Sequence, residues 1–284
     1  MTNMNHEVKS YDTLDFTDDF LFCKILTTDL ELTRELLEII LNTRIRKVKI
    51  AESQKGMKLT PYGRGVRLDV YVQDDENAVY DVEMQTTEEK ELGKRARYYQ
   101  GMIDLNLIEN GQDFSELGNS FVIFILKHRP RGLAVNLPVY TFRYRAEEDS
   151  GVVLRDGAVK VLVNAEGPTE GLPERLKNFL EFIRDRKPKD TFTERLDDHV
   201  QKARESRDWR LEYMTLEMKL REQYKLGREE GRKEGRSAGV LEMQKKSANA
   251  ALDLGIPHAT ILTEFGIPES VLNAVLEERK NNKA

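Results

Sequence analysis

RGVRLDVYVQDDENAVYDVEMQ, Arg64 to Gln85, alternates apolar and polar residues twice around one polar break. Val66, Leu68, Val70 and Val72 alternate with Arg67, Asp69, Tyr71 and Gln73; Tyr80, Val82 and Met84 alternate with Asp81, Glu83 and Gln85. A period of two marks strands, and DDEN at Asp74 to Asn77 supplies a turn, so the stretch predicts a hairpin. Successive side chains change face, so Asp69 shares a face with Arg67, and Glu83 shares one with Gln85. Pairing across the turn brings Asp69 and Glu83 within reach of one cation. Facing carboxylates repel unless one keeps a proton or a hard divalent ion, which takes oxygen ligands, lies between them.

Upstream, Phe16 to Leu26 and Leu30 to Leu41 read as helices divided by TTD, whose Thr27, Thr28 or Asp29 can cap the second. Ile45 to Ile50 reads as a short strand, and KGMKLTPYGRG as a turn-rich approach to the hairpin. Downstream, Thr86 to Asn110 reads as a basic, tyrosine-bearing helix that Thr86 or Thr87 can cap. FVIFIL, Phe121 to Leu126, reads as a strand buried on both faces. Helix, three strands, helix, strand gives an αβββαβ core with a mixed sheet, an α/β fold. Leu137 to Tyr144 and Ala158 to Val163 read as strands extending or flanking that sheet.

The 284 residues are 39% apolar, enough for a real core, and 33% charged, which points to a solvated helical part. Cys23 is the only cysteine, and the four histidines are scattered, so a disulfide framework and a thiolate or histidine metal site are excluded. With no apolar run of membrane-spanning length and no signal segment, the expected location is cytoplasmic, with no membrane partner. The net charge of −5 argues against a surface that grips nucleic acid everywhere, but the charge is segregated. Thr43 to Leu68 holds eight bases and one acid, and Asp69 to Glu83 holds six acids and no base. A basic edge beside an acidic, cation-sized pocket suits a phosphodiester, and plain surface patterning is the other reading.

The domains expected are 1–166 for the α/β core, 167–239 for a helical C-terminal extension, and 240–284 for a small helical module. Within the extension GREEGRKEGRSAG spaces Gly227, Gly231, Gly235 and Gly239 four residues apart, as a tolerated repeat or as a self-association surface for a homodimer. In the last module GIP occurs twice, at Gly255 to Pro257 and Gly266 to Pro268. Two short helices there make either a packing module or a helix-turn-helix; the acids Glu269, Glu277 and Glu278 favour packing.

With these residues in view, the chain resembles the PD-(D/E)xK nuclease superfamily, and more closely its branch of recombination-promoting nucleases and transposases. VRLDVYV and VYDVEMQ resemble that branch's Asp strand and Glu-x-Gln strand, KRARYYQGMIDLNLIENGQDFSEL and SFVIFIL its next helix and strand, and EYMTLEMKLREQYKLGREEGRKEG its tail. The resemblance implies a restriction-endonuclease-like core, Mg²⁺-dependent cleavage of DNA in which Mn²⁺ can substitute, and a role in recombination or mobile DNA. Asp69 and Glu83 then stand as metal ligands and catalytic residues, and Gln85 takes the catalytic position usual for lysine. Asp19, in TDDFLF, matches the N-terminal acid, with Glu35 and Glu38 as rivals. Leu68 stands where the superfamily has proline.

Arg67 and, among Lys94, Arg95 and Arg97, the last are the expected phosphate contacts, helix solvation being the other reading. Asp69 as a structural partner of Arg67 or Arg64, and Glu83 as a solvent-facing strand residue, stay open. So do a DNA-binding or assembly protein of weak or no activity on the same fold, and an RNA nuclease.

Overall fold

Residues 9–57, 65–88, 90–108 and 110–281 are described by the structure, a computed structural model. After a 3-10 turn at Tyr11–Thr13 come α1 (Asp19–Thr28) and α2 (Leu30–Leu41). Asp29 divides them: its carboxylate accepts the Leu32 N–H at 2.8 Å, satisfying one of the N-terminal donors that α2 cannot satisfy itself. Asn42 ends α2 in the left-handed region, at φ 47°.

β1 (Val48–Met57), β2 (Val66–Asp74) and β3 (Val79–Gln85) follow as an antiparallel set. β1 runs past the expected Ile50 into the turn-rich run, of which residues 58–64, with Arg64, lie outside the described residues. Val70 pairs with Val82 and Val72 with Tyr80, as the two alternations require. The hairpin turn is built on buried Asp74, which accepts the N–H of Glu76 (2.9 Å) and Ala78 (2.8 Å) and the Tyr80 hydroxyl (2.8 Å).

Next comes α3 (Leu92–Leu107), which begins later than expected: its N-cap is Glu91, at φ 65°, and neither Thr86 nor Thr87 caps it. It leads to β4 (Ser120–Leu126), parallel to β3. β6 (Ala158–Asn164) lies parallel to β4, and β5 (Val139–Phe142) closes that edge antiparallel to β6. The six strands run in the order β1-β2-β3-β4-β6-β5, a mixed sheet in an α/β fold with the expected αβββαβ order. Where the chain leaves β6, a Cβ on Gly167 would lie 2.7 Å from the Pro138 nitrogen, so only glycine fits beside β5.

Apolar residues cover both faces of the sheet. Tyr71, Val79, Val122, Phe124 and Leu162 pack with Leu92, Ala96, Met102 and Ile103 of α3. On the opposite pleat Val70, Val72, Val82, Ile123, Val161 and Val163 are fully buried as well. α1 and α2 lie against β1, and they also meet α5 (Thr191–Glu205), which packs with α4 (Glu174–Asp185).

Those last two helices correct the expected domain limits. The first compact unit runs from Met1 to Tyr213 and the second from Met214 to Ala284, instead of breaking at 166 and 239. Phe179, Phe182, Ile183, Phe192 and Leu196 are buried, so α4 and α5 belong to the first core despite their charged sequence. α6 (Arg207–Asp253) is a single helix of 47 residues. Along it Leu211, Met214, Met218 and Leu220 are more than half exposed.

In the second unit Ala248 and Ala251 pack with Ile261, Ile267, Val271, Leu272 and Val275, from α6, α7 (His258–Thr263), α8 (Glu269–Asn281) and the turn between the last two. Gly255 and Gly266 take φ of 70° and 62° in the two GIP turns, a conformation that favours glycine. Arg279 is engaged by the Asn249 carbonyl (2.9 Å) and Asp253 (2.6 Å), in keeping with a packing module. Among the described residues no helix is long and apolar enough to cross a membrane.

Candidate active site

β2 and β3 stop pairing at Val70 and Val82, one step before Asp69 and Glu83. There the carboxyl side chains take over from the backbone ladder. Asp69 N–H donates to Glu83 Oε1 at 2.9 Å, and Met84 N–H donates to Asp69 Oδ2 at 3.2 Å. Each acid thus reaches across the fork to the opposite strand, and the two meet as the alternation predicts.

A third acid is drawn in from α1. Cys23 donates its thiol toward the Asp69 carbonyl (3.3 Å) and Asp19 Oδ1 (3.6 Å). On β1, Gln54 sits at φ 52° between the pairs Ser53–Val70 and Lys55–Leu68, level with Asp69, and its amide donates to Asp19 Oδ2 at 3.3 Å. Asp19 is the exposed first residue of α1. Its rivals are engaged elsewhere: Glu35 pairs with Arg175 and Arg195, and Glu38 pairs with Arg34 and accepts the Ile45 N–H.

The electrostatics of the site are those of acids crowded out of water. Burial, then the charge of Asp19, pushes Asp69 up to about 6. Burial, then the charge of Asp69, pushes Glu83 up to about 8. Desolvation and like charge both favour the neutral form, so the cation-free pair holds a proton at neutral pH. Burial also pushes the Cys23 thiol up, which keeps it a hydrogen-bond donor.

The opposing charge comes from α3. Arg95 donates from Nη2 to Glu83 Oε2 (3.1 Å) and to the Tyr99 hydroxyl (3.1 Å), and from Nη1 to Gln85 Oε1 (3.0 Å). Its guanidinium also lies over the Phe124 ring, 5.2 Å from the centroid. Arg97, by contrast, is exposed on α3, as is Arg67 on β2, though the Arg67 charge still favours ionised Asp69. Among the described residues Asp69 forms no ion pair, so the structural pairing with Arg67 is not formed.

Asp81 is a residue that the strand pattern alone does not single out. It is 0% exposed, and among the described residues neither carboxyl oxygen has a hydrogen-bond partner. Burial, reinforced by Glu83 and Asp69, holds its proton on well above the carboxylate range. Its place on the Glu83 face was legible; that α3 seals this face was not.

No group of three His, Cys, Asp or Glu side chains among the described residues is arranged to hold a metal by itself. The donors present are two carboxylates with a strained proton balance, to which the Met84 carbonyl can add. That set fits a hard divalent ion of the Mg²⁺ type, which is held by one or two carboxylates and completes its shell with water and substrate phosphate. Residues 16–132 match the family model described as PD-(D/E)XK nuclease family transposase. Comparison with curated proteins and with solved structures gives no match.

Proposed function

We propose, for a chain whose residues 16–132 match the PD-(D/E)XK nuclease family transposase model, a metal-dependent endodeoxyribonuclease that serves recombination or transposition. The observation that carries this reading is the Asp69–Glu83 pair straddling the fork between β2 and β3. Asp69 and Glu83 would hold Mg²⁺, or Mn²⁺ in its place, with Asp19 of α1 as the further acid of the site. When bound, the ion polarises a phosphate oxygen and lowers the pKa of a water. Gln85 orients that water or the phosphate by hydrogen bonding, since an amide cannot act as a base at neutral pH. Arg67 and Arg97, both exposed, contact the DNA backbone on either side. Purified protein is expected to nick or linearise plasmid when Mg²⁺ or Mn²⁺ is added and to leave it intact in chelator. Intact plasmid under both conditions would favour the binding-protein alternative, and parallel RNA substrates separate a DNA enzyme from an RNA enzyme.

The carboxyl pair also sets a pH dependence. Asp69 and Glu83 bind protons more tightly folded than unfolded, so their contribution to stability is full below about pH 4 and declines as pH rises through about 6 and about 8. The metal-free protein is therefore expected to lose melting temperature across this window. Mn²⁺ should restore it, more at pH 8 than at pH 5.5. An Asp69→Asn/Glu83→Gln chain should show a flatter pH profile and no Mn²⁺ effect. Calorimetry finding equal slopes in both chains would contradict the pairing.

Self-association through α6 is part of the same proposal. In α6 a Cβ on Gly227, Gly231, Gly235 or Gly239 would meet nothing within 4 Å, so no contact among the described residues requires these glycines. A second copy lying along this face would require them, and would bring two sites to one DNA. Sedimentation is expected to show a dimer at micromolar concentration, and a monomer with and without DNA would remove the idea.

A further inference from the structure

We infer that Arg95 turns Gln85 into a hydrogen-bond donor aimed at the reacting phosphate, so that the two side chains together replace the lysine named in the PD-(D/E)XK pattern. The inference rests on the nuclease reading and deepens it. An arginine can only donate, so the Gln85 atom 3.0 Å from Arg95 Nη1 must be the amide oxygen, and this fixes which way the amide points. The NH₂ end is thereby turned away from Arg95. Gln85 is half-buried at the end of β3, and among the described residues no acceptor meets its Nε2. Left to itself a glutamine amide offers donor or acceptor equally well; here the choice is made by its neighbour.

Arg95 is itself held from several sides. Glu83 Oε2 and the Tyr99 hydroxyl each accept from Nη2, and the Phe124 ring lies beneath the guanidinium. The one cation therefore sits between the second carboxylate and the amide, and its charge polarises the amide N–H bonds. A lysine would place positive charge and donors on one atom. In this chain Arg95 supplies the charge and Gln85 the donors. Arg95 is accordingly a positioning residue, acting through Gln85.

The test uses the full chain in two arms. In the metal-free protein, Gln85→Lys sets an ammonium against the guanidinium and is expected to lower the melting midpoint. Adding Arg95→Met to the same chain should reverse that loss; additive losses would overturn the pairing. In the second arm, Mn²⁺-dependent cleavage of a duplex, Gln85→Glu keeps the shape and the Arg95 contact but has no donor. It is expected to lose about 100-fold or more in kcat, the usual effect of removing one donor to developing charge. Its Kd for the duplex, measured in Ca²⁺, should stay within about threefold of the wild type, because a transition-state interaction is the one removed. Gln85→Lys/Arg95→Met should cleave faster than either single variant. A Gln85→Glu chain that cleaves at the wild-type rate, or a double variant no better than the singles, would overturn the donor role. A wild-type chain that cuts nothing while the melting coupling is intact would instead remove the nuclease reading, and the donor role with it, leaving only the pairing.

Discussion

Asp69→Asn and Glu83→Gln are each expected to slow Mn²⁺-dependent DNA cleavage by about 1,000-fold or more, the equivalent of about 4 kcal/mol of transition-state stabilisation. The amide variants are more informative than alanine. The Asp69 and Glu83 side chains also accept the N–H groups of Met84 and Asp69 at the fork, and an amide oxygen can keep those bonds while giving up the charge a hard cation needs, although in Glu83→Gln the NH₂ end then faces Arg95 Nη2, which loses that acceptor. Fold and far-UV signal should therefore survive, and the metal-free melting midpoint at pH 8 should hold or rise in Asp69→Asn, since like-charge crowding is relieved, with a smaller gain in Glu83→Gln, where Arg95 loses its charged partner. The losses should appear in kcat with duplex affinity in Ca²⁺ less affected. Cleavage undiminished in both variants would remove Asp69 and Glu83 as the reacting centre.

Asp81→Val is expected to stabilise the protein. A buried carboxyl with no partner costs about 1–3 kcal/mol relative to an apolar group of similar shape, and valine suits the middle of a strand. The gain should widen with pH. Asp81 holds its proton well above the ordinary range in the folded chain, so above about pH 4 the unfolded wild type gains from ionisation that the folded one forgoes. Asp81→Asn cannot ionise either, so it should share the widening with pH, but it keeps a polar group in the same unpartnered place and should lie below the valine chain at both pH values. Denaturant melts at pH 5 and pH 8 separate the two variants, and a destabilised valine chain would mean that Asp81 has a partner beyond those described.

The hairpin and its two acids were legible because a period of two places side chains with little ambiguity and Asp74 to Asn77 is a strong turn signal. FVIFIL was equally plain, since a central parallel strand needs apolar residues on both faces. α3 was legible as a helix, but that Arg95 is its residue reaching Glu83 and Gln85 was not. The buried positions Leu92, Ala96, Met102 and Ile103 define its inner stripe, and Arg95, one turn before Tyr99, flanks that stripe where Arg97 does not. Which cation touches the site follows from packing that the helix's own pattern leaves open. Gln54 could not be found at all from sequence, because nothing in the pattern of β1 marks its left-handed conformation level with Asp69. α4 and α5 were assigned to an extension because charge dominates their composition, although their few aromatic and aliphatic residues are the ones buried in the first unit.

A crystal of the protein soaked in Mn²⁺ and measured at the manganese edge tests the central claim most directly. The account predicts one anomalous peak at the fork, about 2.1 Å from an oxygen of Asp69 and an oxygen of Glu83, with Arg95 still bonded to Gln85. Anomalous density that leaves these two carboxylates unbridged, in crystals where manganese binds elsewhere, would contradict it.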